Sequence, residues 1–137
     1  MNTKSFQNKR ESYQTSRNVL SSFKYAFAGI KYCFNTELNF RIQVLCGLLI
    51  ISWCFIFNCS TVEFLIIIAT IFSVLILEIL NTAIEALVDL NVKKNFDKLA
   101  KISKDCSAAA VLLASLNSIF VAAFIFIPKI SLFINSK

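Results

Sequence analysis

Three stretches of this 137-residue chain, residues 42–57, 64–77 and 108–127, carry no charged side chain. With their flanks, each approaches the roughly 20 residues that cross a hydrocarbon core of about 30 Å. Hydrophobic residues make up 57% of the chain and charged residues 16%. A domain this small cannot bury that much apolar surface in its own interior, so lipid must solvate part of it. There are only two glycines and one proline. That composition excludes turn-rich folds and β-barrels and leaves long helices with few breaks. The expectation is an all-α membrane protein.

A polar tail is expected over residues 1–16, with no apolar core of a cleavable signal peptide, followed by one domain over residues 17–134. Residues 17–35 read as an amphipathic surface helix. Val19, Leu20, Phe23, Phe27 and Ile30 recur on one side, and Arg17, Lys24 and Lys31 on another. Such a basic helix with an aromatic apolar face suits the membrane surface. Three spans follow, at about residues 42–57, 62–90 and 105–127. Between the first two, residues 58–63 form a tight turn, with Ser60 and Thr61 as helix caps and Glu63 in the first helical turn. The second helix, about 43 Å long at 1.5 Å per residue, exceeds the hydrocarbon core, so its charged end projects from it. Pro128 is expected to end the third span, with residues 130–134 trailing at the interface.

Seven lysines and arginines precede or reach Arg41, none lie in the turn at 58–63, and five lie in 91–105. The positive-inside rule then makes the N-terminus and the second connection cytoplasmic, and the turn and C-terminus external. The expected location is the cell (inner or plasma) membrane, crossed several times.

The chain has no histidine, which excludes histidine metal sites and histidine acid–base chemistry. With only Gly29 and Gly47, it has no glycine-rich phosphate loop either. Handling of nucleotide phosphates would fall to side chains and a metal ion. The five cysteines form no Cys-x-x-Cys pair and read mostly as small apolar residues. Cys54 and Cys59, expected near the outer face, are the one candidate redox pair.

The informative polar feature closes the second span. Glu78, Asn81, Glu85 and Asp89 are spaced by three, four and four, which puts them on one helix face. Ionisable groups bordering a span are costly and need a reason. Lys101 and Lys104 can relieve the repulsion, and so can a divalent cation. Glu37, before the first span, and Asp105, at the start of the third, fall at the same membrane face. Hard oxygen ligands of this kind suit magnesium bridging nucleotide phosphates. Without histidine, a desolvated carboxylate is the best base for an attacking hydroxyl. The bland alternative is a solvated, routinely paired helix end. A second alternative, a non-enzymatic oligomeric pore or helper subunit, needs a polar stripe through the full membrane depth, and the charge-free 64–77 stretch does not supply one.

The run Glu78-Ile-Leu-Asn-Thr-Ala-Ile-Glu85, then Val88-Asp89, then Lys104-Asp105 with its following alanines, resembles the signature of the prokaryotic diacylglycerol kinase and undecaprenol kinase family. The segments at 22–32 and 37–41 resemble the family's surface helix and the start of its first span, and the likeness covers about residues 17–130. The resemblance implies a surface helix and three spans per chain, a homotrimer with shared active sites, and transfer of the γ-phosphate of ATP to a membrane lipid alcohol. It implies Glu78 as general base, Glu37 and Glu85 as magnesium ligands, and Asn81 in support of the phosphate site. It further implies Lys104 and Asp105 at the nucleotide with Tyr25 nearby, and Asn39 and Arg41 near the lipid headgroup. The Asn-Thr-Ala-Ile-Glu and Val-Asp-Leu forms lean toward the undecaprenol branch. The chain departs from the family in its 91–99 loop, which lacks a histidine found in some members, and in lacking a glycine after Lys104-Asp105.

Overall fold

A computed structural model describes residues 19–92 and 96–135. The expected N-terminal tail, the start of the surface helix at 17–18 and residues 93–95 of the second connection lie outside them. The described residues form four helices: α1 (Val19–Thr36), α2 (Leu38–Ile56), α3 (Thr61–Val92) and α4 (Lys98–Asn135). The chain divides into two units, residues 1–32 and 33–137, and each is taken on its own. In the first, α1 exposes the apolar residues of its periodic face, Val19, Leu20, Phe23, Phe27 and Ile30.

In the second unit, α2, α3 and α4 are each long and apolar enough to cross a membrane. Large apolar side chains such as Leu45, Leu49, Phe72, Leu113, Phe120 and Phe124 remain exposed on all three, where a soluble protein would cover them. Helix α3 packs against both α2 and α4, most extensively α4. Gly47 permits a close approach of α2 to α3, since a Cβ there would meet Ile71 Cγ2 at 3.0 Å.

The turn between α2 and α3 follows from local chemistry. Asn58 takes a left-handed φ of 49°, a conformation in which Asn is the commonest substitute for Gly after a helix end. The Cys59 N–H donates to the Cys54 carbonyl at 2.9 Å, and the Asn58 N–H to the Phe55 carbonyl at 3.4 Å. Two carbonyls of the last turn of α2 are thereby satisfied. Helix α3 then opens with the expected capping box. The Ser60 N–H donates to Glu63 Oε2 at 2.7 Å, and the Glu63 N–H to Ser60 Oγ at 3.3 Å. The apolar core lies at this same end, around Cys54, Ile67, Ile125 and Phe126.

Helix α4 corrects one expected boundary, its end. It starts at Lys98, ahead of the expected span at 105–127, because Asp97 Oδ1 accepts the Ala100 N–H at 2.9 Å as an N-terminal cap. It also runs through Pro128 instead of ending there. The proline removes one helical hydrogen bond, but contacts beyond it hold the helix. Lys129 pairs with Glu63 at 3.1 Å, Ile130 packs on the core, and the Phe133 ring meets Phe57 edge-on at 6.0 Å between centroids.

Candidate active site

The predicted acidic row lies at the opposite end of α3 from that core, and its exposure rises along the helix. Glu78 is only 3% exposed, Asn81 and Glu85 are half-buried, and Asp89 is exposed. Thr82, beside the row, is buried and donates its hydroxyl to the Glu78 carbonyl at 3.0 Å.

Polar cross-links tie this face of α3 to its neighbours. Gln43 Nε2 on α2 donates to Glu78 Oε2 at 2.9 Å. Ser107 Oγ on α4 donates to Asn81 Oδ1 at 2.6 Å, and it also lies 2.9 Å from the Lys104 carbonyl. Asn81 Nδ2 in turn donates to Glu85 Oε1 at 3.1 Å. Lys104 Nζ reaches Asp89 Oδ1 at 2.6 Å. Lys104 precedes the third apolar stretch, and its hydrogen bond with Asp89 holds the ammonium above its usual pKa. Asp105 pairs with Lys101 at 2.6 Å, an exposed contact one turn apart on α4.

Glu78 lines a cavity of about 340 Å³ with Asn39, Gln43 and Asn81, and apolar residues of α4 such as Val111 and Leu112 line its other side. Among the described residues only Gln43 donates to the Glu78 carboxylate, so Oε1 has no donor from them. The Gln43 amide is itself half-satisfied. Its Oε1 is fully buried and is the one such side-chain atom without a partner among the described residues. A second cavity, of about 220 Å³, shares Ile42, Gln43 and Ser115 with the first and continues between the helices to Ile67 and Ile71.

The other expected site residues are placed less tightly. Arg41 is exposed near the start of α2. Glu37 precedes α2 in extended backbone, and its Oε1 accepts from Thr36 Oγ1 at 3.0 Å. Tyr25 is exposed on α1, in the first unit. Among the described residues no three acidic or cysteine side chains gather into a group that could hold a metal. A magnesium ion that bridges phosphates needs only one or two carboxylates, since phosphate oxygens and water complete its octahedron. Glu37 and Glu85 are donors of that kind.

The sequence profile of Prokaryotic diacylglycerol kinase matches residues 24–126, three quarters of the chain. The chain belongs to that family. It is 38% identical to a diacylglycerol kinase of Synechocystis sp. over 89% of this chain and 70% of the relative. It is 37% identical to an undecaprenol kinase of Bacillus subtilis over 80% and 88%, and 36% identical to a diacylglycerol kinase of Pseudomonas aeruginosa over 72% and 79%. As a prokaryotic diacylglycerol kinase family member with three long apolar helices, the chain is a membrane enzyme of the lipid kinase class.

Gln43 and Ser107 were not singled out from the sequence. Gln43 had a legible signal, being the only amide within the charge-free stretch at 42–57. A carboxamide placed there needs a buried partner. Ser107, among alanines, gave no comparable signal.

Proposed function

We propose that this enzyme transfers the γ-phosphate of ATP to the hydroxyl of a membrane lipid alcohol, diacylglycerol or undecaprenol, with Glu78 as the general base. The observation that carries the assignment is the buried Glu78 carboxylate, held at one oxygen by Gln43 and facing a cavity lined by residues of all three spans. The lipid hydroxyl enters that cavity and gives its proton to the carboxylate as its oxygen attacks phosphorus. The apolar continuation toward Ile67 and Ile71 accepts part of the lipid tail.

Phosphoryl transfer otherwise asks for positioning and charge neutralisation. Magnesium, when bound, draws charge from the phosphate oxygens, and Glu37 and Glu85 are the residues that would hold it. Asn81, fixed by Ser107, orients the Glu85 carboxylate. Lys104 and Asp105 receive the nucleotide, and the motif resemblance adds Tyr25 to the nucleotide residues. Asn39 and Arg41 meet the lipid headgroup. Helix α1 lies on the membrane surface, the N-terminus is cytoplasmic in the cell membrane, and three chains assemble with shared active sites. Support for these assignments comes from the charge asymmetry of the connections and the motif resemblance.

The test incubates purified protein with labelled ATP, magnesium and separate micelles of diacylglycerol and undecaprenol. The expected result is labelled lipid phosphate from at least one alcohol. Hydrolysis of ATP with no label on either lipid would overturn the assignment.

A further inference from the structure

Cys54 and Cys59 lie at the end of the bundle opposite Glu78 and have no part in the proposed reaction. Cys54 belongs to the last turn of α2, and the left-handed Asn58 folds the chain back so that the Cys59 N–H meets the Cys54 carbonyl at 2.9 Å. The same fold-back packs Cys59 against the core cluster that contains Cys54. Both thiols are free. Cys54 is 3% exposed within the core formed with Ile67, Ile125 and Phe126. Cys59 packs on that core but keeps part of its surface open.

A disulfide needs its two Cα atoms within about 4.4–6.8 Å and its Cβ atoms facing one another. A backbone hydrogen bond across the six-residue turn and packing in one cluster bring this pair together without unfolding α2. The difference in exposure also fixes an order of events. An oxidant meets Cys59 first and Cys54 second.

We propose that Cys54 and Cys59 form a reversible intramolecular disulfide, a redox modification site in the turn between the first two spans. The oxidant is a disulfide, either a small molecule such as oxidised glutathione or an oxidoreductase. The Cys59 thiolate attacks one of its sulfurs, forming a mixed disulfide and releasing one thiol. The Cys54 thiolate then attacks the Cys59 sulfur, closing the bond and releasing the second thiol. Two cysteine sulfurs are oxidised, one disulfide is reduced, and the two protons end on the two released thiols. The product is a covalent loop around Asn58 that ties the end of α2 to the cap of α3. Because it lies at the far end of α3 from Glu78, closing it leaves phosphoryl transfer unchanged.

The full-length wild-type protein in detergent micelles is exposed to oxidised glutathione, quenched with N-ethylmaleimide and analysed by intact mass and peptide mapping. The expected product carries three maleimides instead of five, with Cys54 linked to Cys59, and dithiothreitol restores all five. The Cys54→Ser variant should stop at the mixed disulfide and retain glutathione on Cys59. Five maleimides on the wild-type chain after oxidation would overturn the proposal. So would glutathione retained on wild-type Cys59, or a link from Cys59 to a second chain. The wild-type mapping decides the matter even if Cys54→Ser fails to fold.

Discussion

Replacing Glu78 by Gln should abolish most activity while making the protein more stable. The side chain keeps its shape, and the Gln43 Nε2 that now donates to Glu78 Oε2 at 2.9 Å still finds an acceptor. The new amide also brings a donor that glutamate lacks. It can turn toward Gln43 Oε1, the buried acceptor with no partner among the described residues, and close a reciprocal amide pair. One added hydrogen bond is worth about 0.5–1.5 kcal/mol net, and satisfying an atom that otherwise bears a desolvation penalty of about 1–3 kcal/mol places the gain toward the upper end. Removing a carboxylate that is only 3% exposed adds to it in the same direction.

Catalysis moves the other way. An amide cannot take the hydroxyl proton, and losing a general base costs about 10²–10⁴-fold in rate. At about 1.4 kcal/mol per decade that is roughly 3–5.5 kcal/mol of barrier. Thermal unfolding in lipid-detergent micelles and initial rates with labelled ATP give the two readings. A variant that keeps more than a tenth of the wild-type kcat would remove Glu78 as base. A variant that unfolds at lower temperature would show that the Gln43 amide does not pair as argued.

Ser107→Ala deletes the 2.6 Å bond that holds Asn81 in place, and a loss of about 1–1.5 kcal/mol should appear as roughly a tenfold fall in kcat/KM for ATP. An unchanged kcat/KM would separate Ser107 from the phosphate site. Gly47→Ala places a methyl at 3.0 Å from Ile71 Cγ2, so α2 and α3 must part slightly, at a cost of about 1–3 kcal/mol read as a lower unfolding temperature. Pro128→Ala restores a donor inside α4, and the unfolding temperature should rise, by up to the ~3 kcal/mol that separates the two residues in a helix interior. A fall would mean that the proline serves the Lys129–Glu63 contact.

The apolar stretches and the capping residues made most of the fold legible, because lipid solvation and helix ends impose local rules. The Ser60–Glu63 box and the three spans needed nothing beyond the chain itself. The end of α4 was not legible, because proline's local cost is offset by distant partners, Glu63 and Phe57, that no local pattern announces. The candidate site divides in the same way. Glu78, Asn81, Glu85 and Asp89 share a face by helix periodicity alone. Their cross-links to Gln43, Ser107 and Lys104 depend on how three helices meet.

That exposure gradient explains why one helix face can hold carboxylates with different tasks. Glu78 and Glu85 are seven residues apart, about 10 Å along the axis at 1.5 Å per residue. A hydroxyl on an apolar tail can descend to the level of Glu78, where burial makes water scarce. A polyphosphate cannot, because its charge keeps it nearer the less buried level of Glu85 and Lys104. On the proposed roles, the distance between the two levels is the space in which the attacking oxygen, the transferred phosphoryl group and the leaving oxygen would stand in line. With Glu78 proposed as base and Glu85 as metal ligand, shifting the row by one turn in either direction would strand the first among the phosphates or bury the second beyond their reach. On that proposal, the boundary between the charge-free half of α3 and its polar half sets the depth of the reaction as firmly as the identity of any residue in the row.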